Sequence, residues 1–282
     1  MKLTERTLRI IKNAEKEAEK TTKVVHPIHL LLGILLVRTS VCAELNNNHP
    51  DLWDKLNRRA KDINFTNEHG ISYGPFTRKI ALSTKEVMDN ANKLMKRYKQ
   101  IYLNEGHIVE AIFSSNDYST KIIIDGLDVP RILEIVAFPR DMIVSLRNYS
   151  FPDIQTNDII FRRAEQNDVI SLMNFIKEEF GNEWLDSLEN GFLKDKIPIF
   201  IALGDKEILG FSCFDVVRHK KGLFGPMGTT HSKRVQGIGY TLLHMCLREM
   251  KEIGYEYAVI GEAGPLEFYE KACNAVVIPK PM

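Results

Sequence analysis

The sequence predicts two domains: an all-α duplicated helical bundle, then an α/β domain with a mixed, mostly antiparallel sheet. Three observations lead there. The chain has 282 residues, enough for two units that each bury a core. A helical pattern recurs in the first half after about 75 residues. From Asp158 onward, short β-like runs alternate with amphipathic helices.

The helical half opens at Thr4, with Leu8, Ile11 and Ala14 at helical spacing. Pro27 starts IHLLLGILLVR, apolar nearly all round, the pattern of a buried helix. Pro50-Asp51 opens LWDKLNRRAK. After GISYGP the pattern predicts a long helix from Thr77 through Tyr98, then shorter ones from Asn104 and Ser119. The order repeats: Leu3-Thr4 corresponds to Phe76-Thr77, and His29-Leu30 to His107-Ile108. Two copies of a unit that cannot bury its own apolar face predict one pseudo-symmetric bundle over residues 1–146. Residues 147–157 read as a linker, and residues 158–282 as the α/β domain.

In that second domain DIIFRRA reads as a strand and NDVISLMNFIKEEF as a helix. IPIFIAL and EILGFSCFDVV read as strands joined at the turn Gly204-Asp205. A strand near Leu223–Thr230 follows, then a helix, the strand EYAVIGE, the short helix EFYEK, and AVVI.

Composition narrows the function. A formal net charge of +1 with no long basic block gives no support to nucleic-acid binding. The first residues carry charge every few positions and no apolar signal core, and the apolar runs are too short to span a bilayer. Cys42, Cys213, Cys246 and Cys273 are scattered, which predicts buried free thiols rather than a metal site or disulfides. The expectation is a soluble, cytoplasmic protein without a metal.

The chemistry concentrates in RVQGIGYTLL, residues 234–243. Gly237 and Gly239 are either turn glycines at a helix entry or glycines that let a backbone close on a phosphate. The context favours the second. A strand-like segment precedes them, and the following helix sets Ile238, Leu242, Leu243, Cys246, Leu247 and Met250 toward a core. A dinucleotide-binding fold is a rival, with Glu262 as its ribose-binding acid. It lacks the third glycine, because Leu242 stands there, and polar residues replace the buried strand before Gly237.

Arg234-Val235-Gln236-Gly237-Ile238-Gly239 resembles the R/Q-x-x-G-x-G/A signature of the GNAT acetyltransferase superfamily. FRRAEQNDVISLMNFI resembles that family's first strand and helix, GPMGTTHSKR its fourth strand, and GPLEFYEKA the segment carrying its frequent catalytic tyrosine. The resemblance covers residues 158–282. It implies acetyl-CoA as co-substrate in an opening between the fourth and fifth strands. The backbone of Arg234, Val235, Gln236, Gly237, Ile238, Gly239 and Tyr240 would hold the pyrophosphate. Met227, Gly228 and Thr229 would pair with the pantetheine arm. It implies Tyr269 as the acid for the leaving thiolate; otherwise Tyr269 is a helix-face aromatic beside Phe268. Glu262 or Asp215 is the candidate base, acting through water, unless each is a solvated or salt-bridged carboxylate. His219 and His231 flank loops and are given no role. The family usually continues with a further strand after the tyrosine helix, whereas this sequence ends at AVVIPKPM. The sheet is then expected to end on an exposed edge or to be completed by another chain, as in a homodimer.

The first half resembles the Clp ATPase amino-terminal domain, whose two repeats carry a pattern close to G-T-E-H-L-L. His29-Leu30-Leu31-Leu32-Gly33 and Gly106-His107-Ile108 match it in part. The resemblance implies a protein partner docked through residues 1–146; a purely architectural role is the alternative. Ile28 and Gly106 stand where some members carry the glutamate that reads phosphoarginine, so that chemistry is not implied here. The two histidines are expected to be packing residues. No Walker motif occurs. The expectation is an N-acetyltransferase acting on a small-molecule or peptide amine, with a docking domain. The alternative is a non-catalytic acetyl-CoA-binding adaptor or sensor.

Overall fold

The computed structural model describes residues 1–281 except 63–68, 155–157, 206, 219 and 231–236. The chain divides into two compact units, Met1–Pro139 with Pro279–Met282, and Arg140–Ile278.

The first unit holds eight helices among the described residues. These are α1 Glu5–Glu19, α2 Pro27–Leu35, α3 Ser40–Asn48, α4 Leu52–Asp62, α5 Leu82–Arg97, α6 Glu105–Phe113, α7 Tyr118–Ile124 and α8 Val129–Val136. Local chemistry sets their starts. Thr4, Asn104, Asp117 and Asp128 each accept a main-chain N–H of the first turn. α2 is buried at every position. No single described helix is long and apolar enough to cross a membrane.

The duplication is visible in hydrogen bonds. Thr4 N donates to Leu103 O and Leu103 N to Lys2 O, while Ala81 N donates to Val25 O and Val25 N to Lys79 O. The hydroxyls of Thr7 and Thr84 donate to Leu103 O and Val25 O in the same symmetric manner. Each repeat therefore straps the other's second helix. The correspondence is Thr4 with Ala81, not with Thr77. The helix predicted from Thr77 begins at Leu82, because Glu15 captures the intervening chain: its Oε1 accepts from Thr77 N (2.6 Å) and Arg78 N (2.9 Å). Helix α3 was not expected from the periodicity.

The second unit is a seven-stranded sheet flanked by helices. Its strands are β1 Arg140–Ser145, β2 Ile160–Arg163, β3 Ile199–Gly204, β4 Glu207–Phe214, β5 Leu223–Thr229, β6 Tyr257–Ala263 and β7 Val276–Val277. Their order is β2-β3-β4-β5-β6-β1-β7, and only the β5–β6 pairing is parallel among those described. Helices α9 Val169–Phe180, α10 Leu185–Phe192, α11 Ile238–Ile253 and α12 Leu266–Cys273 complete it. Alternation along β4 assigns the faces. Phe211 meets the rings of Phe175, Phe180 and Trp184 on the α9–α10 side, whereas Ser212 Oγ donates to Leu242 O of α11. All four cysteines are free and buried.

Strand β1 corrects the expected boundaries. Residues 140–146 belong to the sheet rather than to the helical domain, and the division falls at Pro139 instead of within 147–157. Met142, Val144 and Leu146 are buried in alternation, the signature of a strand with one face in a core. β1 pairs with β6 on one side and β7 on the other. The strand expected after the tyrosine helix is thus supplied from upstream, within the same chain. The two-residue β7 is then the edge of the sheet on that side, with Val276 exposed.

Candidate active site

Strands β5 and β6 pair only at Leu223–Val259 and Phe224–Ile260 among the described residues. Both continue beyond that point, to Thr229 and Ala263, without further mutual pairing. Pro226, lacking an N–H, sits just past the last pair. The result is an opening between two parallel strands. On its other edge β5 stays paired with β4, through Ser212–Met227, Phe211–Gly228 and Gly210–Thr229. Thr230 N donates to Leu209 O (2.9 Å), so the alternating amides at Met227 and Thr229 face the opening.

Gly228 is fixed by packing. A Cβ there would lie 2.5 Å from the Phe180 ring. Met227 and Thr229 lie on the opposite face, near Gly239, whose Cβ would meet Thr229, Met227 and Phe268 at 3.8–3.9 Å. Gly237 caps α11 with φ +78°, a left-handed conformation that disfavours any side chain, and among the described residues nothing lies within 4 Å of a Cβ built on it. The first helical bond of α11 runs from Thr241 N to Gly237 O (3.0 Å). The amides of Ile238, Gly239 and Tyr240 therefore precede the helical ladder. Arg234, Val235, Gln236 and His231 lie outside the described residues, as does His219.

Tyr269 is 8% exposed. Its ring packs edge-on against Phe224, the last residue of β5 paired with β6 (centroids 6.3 Å), and against Phe268 (4.9 Å). Burial foremost, and then Cys273, push its hydroxyl well above the usual tyrosine range, so it is protonated at neutral pH. Tyr269 is thus an aromatic packed beside Phe268 and against Phe224, where the β5–β6 pairing ends.

Glu262 is exposed and left-handed (φ +50°), at a bulge where Arg140 pairs with Ala263 but Met142 with Ile260. Its N–H donates to Asp141 Oδ1 (2.9 Å). Asp215 is not brought to the opening. It is buried at the start of β5, the end away from Thr229, and its carboxylate accepts from Gly222 N (2.7 Å) and the Tyr255 hydroxyl (2.8 Å). Lys221 stands 3.5 Å away. These bonds make Asp215 the brace of the β4–β5 connection, because a buried carboxylate demands partners.

Sequence reasoning also missed two supports. Asp141 belongs to the unforeseen strand. His244, in α11, meets the Tyr149 hydroxyl through Nδ1 and the Tyr240 ring at 4.2 Å, which anchors the first turns of that helix. Burial lowers its pKa to about 4, so it stays neutral. Two histidines of the helical unit, His29 and His107, are caps. His29 Nδ1 accepts from His26 N (2.9 Å) and His107 Nδ1 from Asn104 N (3.1 Å).

Residues 167–274 match the model of the acetyltransferase (GNAT) family, and residues 2–125 that of the Clp repeat (R) N-terminal domain. No curated protein matches it. Solved structures similar to it include a fungal multi-domain GH3 β-N-acetylglucosaminidase with a GCN5-related glucosamine N-acetyltransferase region. That match has 17% identity and a TM-score of 0.44, covering 50% of this chain and 20% of the other. The N-terminal domain of the chaperone ClpD from Arabidopsis thaliana matches at 22% identity and a TM-score of 0.37, over 48% and 91% of the two chains. A GCN5-related N-acetyltransferase from Sphaerobacter thermophilus matches at 19% identity and a TM-score of 0.41, over 50% and 49%.

Proposed function

We propose that the GNAT domain moves an acetyl group from acetyl-CoA to a primary amine by direct attack, and that the Clp repeat domain docks a protein partner. The observation that carries this reading is the opening between β5 and β6, flanked by the Gly237–Tyr240 turn. The main chain at Gly237 is open to close approach, and the amides of Ile238, Gly239 and Tyr240 suit a pyrophosphate. Arg234, Val235 and Gln236 are assigned to the same group by resemblance. Met227, Gly228 and Thr229 offer a strand edge along which a pantetheine arm can lie.

Acetyl-CoA supplies the activated acyl group when bound. Glu262 takes the amine proton through water, and main-chain donors at Met227 face the developing oxyanion. The nitrogen–carbon bond forms as the carbon–sulfur bond breaks, and Tyr269 gives its proton to the departing sulfur. Asp215 takes no part. One observation favours the adaptor or sensor reading instead: Tyr269 is deeply packed between Phe224 and Phe268.

The test is thiol release from acetyl-CoA across small amines, aminoglycosides, and peptides with a free amino terminus or lysine. Turnover on one class supports the enzyme. Tight acetyl-CoA binding with no turnover on any of them leaves the sensor.

A further inference from the structure

The helical unit carries an open cavity of about 520 Å³ lined by Lys23, Val24, Thr77, Arg78 and Lys79. Its frame is rigid. Val25 and Ile80 bridge beneath it, Ile71 bridges Ile80, and Glu15 holds the amides of Thr77 and Arg78. Arg78 meets Glu19, whereas among the described residues neither Lys23 nor Lys79 pairs with a carboxylate.

The duplicated fold supplies an internal control. The Val25–Ile80 bridge has its twin in Leu3–Leu103. By that correspondence Lys79 matches Lys2, Arg78 matches Met1, Lys23 matches Ile101 and Val24 matches Tyr102. In the twin, Lys2 lies over the Tyr102 ring, 6.0 Å from its centroid. At the cavity the ring is replaced by a valine and two apolar neighbours are replaced by cations. One frame thus carries a ring, a cation over it and two apolar neighbours in one repeat, and a valine with three cations in the other. The helical segment as a whole has the same sign, since residues 1–139 carry 21 lysines and arginines against 17 aspartates and glutamates; at the cavity itself Glu15 is engaged by Thr77 and the Arg78 amide, and Glu19 by the Arg78 side chain.

We infer that this cavity is the docking site for an acidic segment of a protein partner, with carboxylates meeting Lys23 and Lys79 and an apolar residue resting on Val24. The inference rests on the docking role proposed above and gives that role its surface and partner chemistry. Loose surface cations would attract any anion; a cavity with an apolar floor selects a peptide that alternates acidic and apolar side chains.

The experiment is fluorescence anisotropy of the full chain with a rhodamine-labelled Glu-Glu-Leu-Glu-Glu peptide. Val24→Tyr, which fills the cavity as the twin is filled and keeps every charge, should weaken binding roughly tenfold, as should Lys79→Glu. Lys2→Glu at the twin should leave it unchanged. Should Val24→Tyr not fold, Lys79→Met on an exposed side chain tests the cation's part, and unchanged binding by that variant would equally overturn the inference. Equal losses from Lys2→Glu and Lys79→Glu, unchanged binding by folded Val24→Tyr, or equal displacement by inorganic phosphate would each overturn the inference. Because no acyl transfer is read, failure of the enzymatic reading does not touch this result. A partner bound by the helical unit with all variants unaffected would end this site and leave the docking role.

Discussion

Asp141 Oδ1 accepts the backbone N–H of Glu262 at 2.9 Å, across the bulge where β1 meets β6. A residue from the strand that enters the sheet thereby holds the backbone of the candidate base in a left-handed conformation. Such a conformation costs a non-glycine residue ~1–2 kcal/mol, comparable to what one hydrogen bond to a carboxylate returns. Asp141→Ala should therefore destabilise the domain by about 1–2 kcal/mol in urea unfolding. In a Glu262→Gly background, where the backbone adopts that φ freely, most of that loss should disappear. An undiminished loss in the glycine background would show that Asp141 acts on something other than Glu262.

The upstream strand dictates where the domain can be cut. A fragment starting at residue 155 lacks β1 and leaves β6 and β7 without the strand between them. It also loses Met142, Val144 and Leu146, whose burial is worth ~1.5–3 kcal/mol each. That fragment should be insoluble or molten. One starting at residue 138 should give a cooperative thermal transition. Cooperative unfolding of the shorter fragment would mean that β1 is dispensable.

The two glycines of the turn separate conformation from access. Gly237→Ala places a side chain in open space but in a strained backbone, so it should lose about 1 kcal/mol of stability. Gly239→Val has no positive φ to contend with, and its added atoms project toward Met227, Thr229 and Phe268. It should weaken acetyl-CoA binding by calorimetry at least tenfold while the thermal midpoint moves little. If Gly239→Val binds normally, the cofactor does not lie along that edge.

His29 and His107 make the helical unit acid-labile. Burial lowers their pKa values to about 3 and about 4, with the neighbouring His26 a secondary cause for His29. Unfolded histidines titrate near 6.5, so below that pH the unfolded chain binds protons that the folded caps refuse. The stabilisation is complete above the unfolded pKa and is lost as pH falls toward 4. The unfolding free energy of the helical unit should drop across that window, by up to about 3 kcal/mol for His107. His107→Asn should flatten the dependence even if it lowers stability at pH 7.

These caps illustrate what the sequence could and could not disclose. The repeat was legible because His29 and His107 sit at equivalent positions, and the helix entry at Gly237 because a glycine pair stood before an amphipathic run. The caps' role was not, since it depends on which nitrogen meets which amide. The alternation of Met142, Val144 and Leu146 after Pro139 was present, but six residues between a helical bundle and a linker-like stretch carry little signal. The start of α5 was misread because Glu15, distant in sequence, holds Thr77 and Arg78 out of the helix. Which of its two readings Asp215 follows was hidden for a related reason. A carboxylate's partners are tertiary, and Gly222 and Tyr255 claim this one.

Tyr269 decides between enzyme and sensor. Its hydroxyl receives no hydrogen bond from, and gives none to, the described residues, and the ring is held by Phe224 and Phe268. Removing a hydroxyl that lacks a protein partner in a nearly buried place costs little and can stabilise, so Tyr269→Phe should unfold within about 1 kcal/mol of the parent. Any fall in turnover then belongs to chemistry rather than to folding. Because burial raises the hydroxyl's pKa, the proton is present throughout the neutral range and available to a departing thiolate. General acid steps contribute ~10²–10⁴-fold, so turnover on a competent amine should drop within that range while acetyl-CoA affinity holds. Joint loss of affinity and turnover would make Tyr269 a wall of the cofactor site. Unchanged turnover would assign the proton to water. If the parent turns over no amine and Tyr269→Phe changes nothing but the affinity for acetyl-CoA, the tyrosine reports occupancy and the domain is a sensor.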